Sequence, residues 1–417
     1  MSHNLERPSG TEPQISVNPK LDRVITLPAL IFYGLGVTVG AGIFALLGEI
    51  LGLAGDNAPL SFLVAGVLAS FTGASYMMLI AAFPRAGSEA VYVNQGIGPT
   101  AGRLTGLAVV VTGIITGAVV ALAFAGYLSS LVRVPERPAA VALLVVLSLV
   151  ARKGIRESVI LAAVITLLEV GTLVVVLAFG FDLLDTPGLL QSAFVPSIDT
   201  AVISPILAGS VIAFFAFVGF ENIANLAEET IEPRRAGPIA ILVVLLITLG
   251  LYVLLALVAV AVPDRAAITE SSAPMASLFE EVSDRGSGPI AAAASVAMIN
   301  GILIQIVMAA RVLYGMATDG LILNGFAHIH PKHQTPTRAT LFVTLSTIAL
   351  VLLFPLVQLA RITSLVTLGV FTLVNTALYL IGRKQEATPM ARFRWVGLVG
   401  ATLSLALAGW QIFDGLG

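Results

Sequence analysis

The chain has 417 residues, of which 57% are hydrophobic and 11% charged, and a formal net charge of -2; its mean hydropathy is +0.99. A water-soluble domain carries roughly 25% charged residues, so a protein whose whole surface faces water is excluded, and the near-neutral balance argues against a nucleic-acid partner, which calls for basic excess. Cysteine is absent, which rules out disulfides, cysteine-ligated zinc, iron–sulfur clusters and thiol catalysis.

Residues 1–20 are polar and include Pro8, Pro13 and Pro19. They have no apolar core followed by a small-residue cleavage site, so they do not read as a signal peptide. A short disordered cytoplasmic tail is expected instead.

A membrane-spanning helix needs about 20 mostly apolar residues. Candidate spans fall at about 26–50, 60–83, 105–132, 138–152, 157–180, 203–229, 238–262, 289–317, 337–356, 361–382 and 395–414. That gives eleven, with ten or twelve as alternatives because the fourth is short and close to the fifth. Placing the N-terminus in the cytoplasm leaves only Arg133, Arg137, Arg265, Arg285 and Arg361 outside, with the other 17 of the 22 Lys and Arg inside. Such a bias is what the positive-inside rule demands. The outer loops around Asp182–Asp199 and Asp264–Arg285 are acidic, and an odd number of spans leaves the C-terminus outside.

Two spans do not read as continuous helix. The first holds Gly34, Gly36, Gly40 and Gly42 in the run GLGVTVGAGIF. The sixth holds FFAFVGFENIANLAEE, in which Gly219 and then Glu221 interrupt an apolar stretch. Each glycine costs a helix about 1 kcal/mol relative to alanine, and unwound backbone at membrane depth is tolerated only where it is buried or lines a cavity. Paired interruptions in two halves of a chain point to a transporter site built on inverted repeats. The competing explanation is that the glycines merely let helices pack closely; the charge beside Gly219 favours function for the sixth span.

Such breaks suit a zwitterion. The half-helix beginning near Gly42 offers free N–H groups and a positive dipole end to a carboxylate. Carbonyls freed just before it and at the sixth-span break can accept from an α-ammonium. Phe215, Phe217 and Phe220 are candidates for a pocket wall and an aromatic gate.

At these residues the chain is similar to the amino acid–polyamine–organocation (APC) permeases, in particular bacterial-type amino acid permeases. The similarity runs from about Leu21 to Lys384. It is carried by Gly40-Ala41-Gly42-Ile43-Phe44 and by FPRAGSEAVYV (Phe83 to Val93), which resembles the family's FPxAGGxYxY with Ser88 for its second glycine. The run from Phe214 to Pro238, RVLYGMATDG (Arg311 to Gly320) and a following TPTRA complete it. The resemblance implies an all-α, five-plus-five inverted-repeat (LeuT-like) transporter fold that works by alternating access. Its ten-helix core would occupy 21–384, with repeat one at about 26–180 and repeat two at about 203–382, and 385–417 would add one C-terminal transmembrane helix. It also implies a substrate site formed by Thr38, Ala41, Gly42, Phe215, Ala216, Phe217 and Phe220. No motif fixes the side-chain pocket expected from the third, eighth and tenth spans. Aligning the fifth span places Glu169 where proton-coupled relatives hold a lysine, a departure from the family pattern.

Glu169 lies mid-span, where a carboxylate is a functional hypothesis by default. Three readings fit: a proton carrier whose burial disfavours the charged form, a partner for a cation, or neutral glue bonded to another helix. Glu221 is expected to sit at the dipole end of the second half-helix. Arg23, Glu228 and Glu229, with Arg234, Arg235 and Arg311 nearby, are candidates for an inner gate or for a solvated rim. His328, His330 and His333 lie in a loop without acidic partners and read as solvated rather than metal-binding. The chain contains no GxxxxGK[ST], which excludes ATP-driven pumping by it.

The expected function is secondary amino-acid permeation across the cytoplasmic membrane, driven by a proton or by exchange, with the lipid bilayer as partner and no cofactor. Rival readings are a polyamine or organic-cation exchanger and a non-transporting amino-acid sensor; an enzyme is disfavoured because no nucleophile–base pair is evident. With no acid assigned to the side-chain pocket, small neutral or apolar amino acids are the favoured substrates, and oligomeric state is open.

Overall fold

The computed structural model describes residues 23–85, 88–153, 159–197, 199–283, 285–330, 333–384 and 389–414. The tail expected at 1–20, with Arg7 and Lys20, lies outside the described residues, as do Ala86, Gly87, Arg156 and Lys332.

Eleven long helices follow one another in the order of the candidate spans. They are α1 (Leu27–Ala54), α2 (Ala58–Ala82), α3 (Pro99–Leu131), α4 (Glu136–Lys153), α5 (Val159–Phe179), α6 (Thr200–Phe217), α7 (Pro233–Ala261), α8 (Gly288–Thr318), α9 (Thr337–Leu353), α10 (Leu356–Lys384) and α11 (Pro389–Asp414). Seven segments are long and apolar enough to cross a membrane, and one of them, Leu27–Ala82, contains both α1 and α2. Side chains such as Leu167, Leu246, Leu345 and Leu405 point outward and are more than half exposed. A water-facing surface would not tolerate so many of these together; hydrocarbon would.

Local chemistry sets several boundaries that hydropathy alone misplaces. Pro99 starts α3 six residues before the apolar run does, because proline at a first helical position loses no hydrogen bond and has its φ preset. The sixth span is helical only to Phe217, and a single short turn, Asn222–Asn225, follows the interruption. Short helices also occupy the connections: Ser88–Gly96 between α2 and α3, and Ala266–Thr269 and Pro274–Ser283 between α7 and α8.

The packing has a regular pattern. α1 lies against α6, α2 against α7, α3 against α8, and α4 against α9, while α11 lies along α10. The centre of this arrangement is where both irregular helices lose their regularity. Gly40, inside α1, has φ 21° and ψ -147°, and Gly219, just past α6, has φ 138°. A side chain rarely adopts either conformation.

The two interruptions also touch. A Cβ on Gly219 would stand 2.6 Å from the Val37 carbonyl oxygen and 2.8 Å from the Thr38 Cα, and a Cβ on Gly42 would stand 2.5 Å from the Ala216 Cα. Gly40 differs, since a Cβ there would meet open space. Glycine is therefore required at 40 for its φ, at 42 for its absent side chain, and at 219 for both. Gly219→Ala is expected to destabilise the fold by about 1–3 kcal/mol, the usual cost of a forced backbone, read as a lower melting temperature in detergent. An unchanged melt would contradict the close approach.

Candidate functional site

Interrupting a helix frees main-chain donors and acceptors, and inside an apolar bundle each must find a partner. The Tyr252 hydroxyl of α7 answers this for the carbonyls. Its oxygen is 3.0 Å from the Ala216 carbonyl, 3.2 Å from that of Thr38 and 3.3 Å from that of Val39. One O–H can satisfy one acceptor fully at a time, so it bridges the interruption of α1 and the end of α6. Tyr252 is fully buried, and its ring packs edge-on against Phe62 and Phe217.

On the donor side, Glu221 Oε2 accepts from the Gly219 N–H at 2.7 Å. Its carboxylate thus caps the turn that follows the interruption, satisfying a donor with no partner in its own helix. The first N–H groups of the half-helix after Gly40 are in the same position. They lie beside a cavity of about 540 Å³ lined by Thr38, Gly40, Ala41, Gly42, Phe215 and Glu169, with Asn300 and Gln305 from α8.

Of the residues anticipated for a substrate site, Thr38, Ala41, Gly42 and Phe215 line this cavity. Ala216 stands behind it against Gly42. Phe217 and Phe220 do not line it. Phe217 packs on Tyr252, and Phe220 packs on Tyr76 and Phe371. Both aromatic rings are buried, Phe217 at the last residue of α6 and Phe220 just after the interruption at Gly219.

Glu169 is 3% exposed, and its Oε2 has no hydrogen-bond partner. With Thr166 it faces Gly36 of α1 across the space a side chain would fill. The Thr38 hydroxyl is likewise buried and unpartnered. The Thr116 hydroxyl, also in the lining, is a third. Unsatisfied buried oxygen atoms are uncommon and costly, so three in one cavity mark where a donor or cation would be welcome.

At the residues anticipated for an inner gate or a solvated rim, the contacts are between main-chain groups. Val24 and Ile25 donate their N–H groups to the Glu229 carbonyl, and Ile231 donates to Ile25. Among the described residues no ion pair joins Arg23 to Glu228 or Glu229; those present, Asp56 with Arg265 and Glu49 with Arg361 at 3.8 Å, lie at the opposite end of the bundle. At that end Tyr127 donates to the Phe44 carbonyl at 2.7 Å and accepts from the Met275 N–H at 3.1 Å. His330 and His333 stack on each other, and no cluster of metal-ligating side chains occurs among the described residues.

Sequence reasoning did not single out a second chamber. It adjoins the first, shares Thr116, Val218 and Gln305 with it, and holds about 790 Å³. Tyr76, Glu89, Glu221 and Phe371 are among its walls. Glu89 belongs to the short helix Ser88–Gly96, outside the spans, and is 4% exposed. It accepts from the Ser88 hydroxyl at 2.9 Å and the Tyr76 hydroxyl at 3.4 Å. Burial raises its carboxyl above the usual carboxylate range, and these hydrogen bonds pull in the opposite direction.

Removing the Tyr252 hydroxyl tests the carbonyl bridge. Tyr252→Phe keeps the ring but leaves buried carbonyls without their donor, at an expected cost of about 1–3 kcal/mol, read as a lower midpoint in thermal unfolding. A melt matching the parent protein would mean that the carbonyls find another partner.

A family model described as amino acid permease matches residues 25–416. The chain is 31% identical over 404 residues to cationic amino acid transporter 4 of Homo sapiens, covering 90% of this chain and 62% of that protein. It is 27% identical over 384 residues to the branched-chain amino acid permease BcaP of Bacillus subtilis, covering 87% and 81%. An uncharacterized transporter of Mycobacterium tuberculosis is 31% identical over 389 residues, covering 92% and 86%. The chain thus spans just over three-fifths of the length of the cationic amino acid transporters it matches.

Proposed function

The chain belongs to the amino acid permease family, and from that premise we propose that it is a secondary active transporter of amino acids. It is a multi-pass membrane protein with at least seven membrane-length apolar segments. The observation that carries the transport reading is the pair of touching helix interruptions at Gly40 and Gly219, with a cavity beside them. Half-helix termini at such a break present N–H groups and a positive dipole end to a carboxylate, and nearby carbonyls accept from an ammonium. Thr38, Ala41, Gly42 and Phe215 form the head-group site. Ala216 backs it at Gly42 and Phe217 through Tyr252, while Phe220 packs on Tyr76 and Phe371 beside the second chamber.

The pairing of α1 with α6, α2 with α7, α3 with α8 and α4 with α9 supports two five-helix repeats, at about 26–180 and 203–382, with α11 appended. Alternating access then consists of one repeat's helices rocking against the other's around the shared interruption. The charge bias supports a cytoplasmic N-terminus. On that assignment Asp56–Arg265 and Tyr127 close the outer end, and the Glu89 chamber lies on the cytoplasmic side of the head-group site. Arg23, Glu228 and Glu229 stand at the inner rim, where the main chain at Ile25 and Glu229 forms the latch.

Glu169 is the proposed coupling group. Its buried, unpartnered oxygen beside the first interruption supports a carboxyl that takes up a proton on one side and releases it on the other. The relatives' names divide between cationic and branched-chain amino acids, and the carried class here is amino acids at large.

Purified protein in liposomes tests both parts. Uptake of labelled amino acids is expected, with accumulation when an inward pH gradient is imposed. Glu169→Gln should abolish pH-driven accumulation while leaving exchange, and undiminished accumulation would reject the coupling role. A bulky residue at Gly42 is a poor probe of the site, because its Cβ would strike the Ala216 backbone before any ligand. Thr38→Val is the better one; it should weaken amino-acid binding by about tenfold, the equivalent of one hydrogen bond to a charged group.

A further inference from the structure

We propose that the chamber walled by Glu89 and Glu221 is a second ligand site, which binds an organic ammonium or guanidinium and holds the side chain of cationic amino acids on their way to the cytoplasm. The passage to the cytoplasm rests on the transporter reading; the binding itself stands on the chamber.

Two carboxylates from separate segments line one cavity. Glu89 comes from the helix between α2 and α3, and Glu221 from the turn after α6. No lysine, arginine or histidine is among the described residues lining it. Two carboxylates sharing a site disfavour each other's ionisation, and a buried charge without a counter-charge is costly. An entering cation relieves both penalties, whereas a neutral side chain relieves neither.

The other walls complete an acceptor-rich surface. The hydroxyls of Thr116 and Thr367 face the same chamber without hydrogen-bond partners, at 7% and 3% exposure. Unpartnered buried hydroxyls imply a missing donor or acceptor, and an ammonium supplies three donors while a guanidinium supplies five. Tyr76 and Phe371 also border the space, and an aromatic ring beside a cation adds cation–π attraction where its face is presented.

Glu89 is not consumed by a structural role. Its bonds come from neutral hydroxyls of Ser88 and Tyr76, which orient the carboxylate without neutralising it. The Asn225 Oδ1 accepts from the Ser88 N–H at 3.1 Å, fixing the short helix against the turn after α6, and is an alternative acceptor, also at 3.1 Å, for the one Ser88 O–H that otherwise goes to Glu89. The two carboxylates are therefore held by elements that touch each other. Because the chamber adjoins the head-group cavity through Thr116, Val218 and Gln305, a long cationic side chain can extend into it from a head group bound at the helix interruptions. The expectation of small neutral or apolar substrates takes no account of these two acids, which come together only in the folded chain.

The test uses 1,5-diaminopentane, which carries ammonium groups but no carboxylate; because an ammonium can also enter the cavity beside Glu169, the Glu89 variant is what assigns its binding to the chamber. Binding to the purified full chain in detergent at neutral pH is read from the ligand-dependent rise in melting temperature. The diamine should stabilise the parent protein, and Glu89→Gln, which retains an acceptor for Ser88, should require at least about tenfold more diamine for the same rise. Glu221→Gln should act in the same direction, but it also weakens the cap on Gly219, so Glu89→Gln is the decisive variant. No diamine response in the parent protein, or the same response in Glu89→Gln, would overturn the site. A diamine response that depends on Glu89 in a protein that neither binds nor moves amino acids would uphold the site and defeat the transporter reading.

Discussion

Main-chain polar groups inside an apolar bundle cannot be left unpaired, and this constraint governs the centre of the molecule. Regular helix satisfies it internally at no further cost. Where α1 and α6 depart from helix, at Gly40 and Gly219, the freed groups must be met by side chains, by each other's surroundings, or by a ligand. The single Tyr252 hydroxyl stands within reach of three carbonyls and donates to one at a time, and Glu221 accepts from the Gly219 N–H. What these two side chains do not reach is available for recognition.

The same economy explains why the two interruptions lie against each other. Gly219 packs on the Val37 carbonyl and Gly42 on the Ala216 backbone, at distances that leave no room for a Cβ. Each unwound segment shields the other from the apolar surroundings, so two costly features share one polar centre. α7, which carries Tyr252, also packs along α1 and α2, and it thereby couples the interruptions to the surrounding helices. A displacement of α1 relative to α6 would break the Tyr252 bridge.

The ends of the bundle differ in how they are closed. At the end facing away from the Glu89 chamber, Tyr127 ties α3 to α1 and to the short helix Pro274–Ser283. Gly48 and Gly126 bring the backbones of Ile268 and Ser272 within 2.6 Å and 2.5 Å of where a Cβ would sit. The ion pairs Asp56–Arg265 and Glu49–Arg361 reinforce that closure, though exposed pairs of this kind contribute only about 0–1 kcal/mol each. Closure there rests on packed backbone, and at the other end on the main-chain bonds between Ile25 and the segment 229–231.

Much of this was legible in the sequence, because the solvent imposes simple rules on each segment separately. Hydrocarbon demands long apolar helices, so composition and hydropathy indicate an all-helical class with ten to twelve spans, of which eleven long helices appear among the described residues; glycine's conformational freedom pointed to the interruptions at Gly40 and Gly219. The partners in the chamber were not legible. Tyr252 reads as one more apolar residue of a span, and Glu89 as a variable position in a motif, because neither touches its sequence neighbours for its purpose. Phe217 and Phe220 read as cavity wall, yet their rings pack on Tyr252, Tyr76 and Phe371. Segment-by-segment rules concern a residue and its solvent, whereas a binding site depends on which distant residues share an enclosed space: Glu89 with Glu221, Glu169 with Gly36, Tyr252 with Thr38. Helix packing alone decides those pairings.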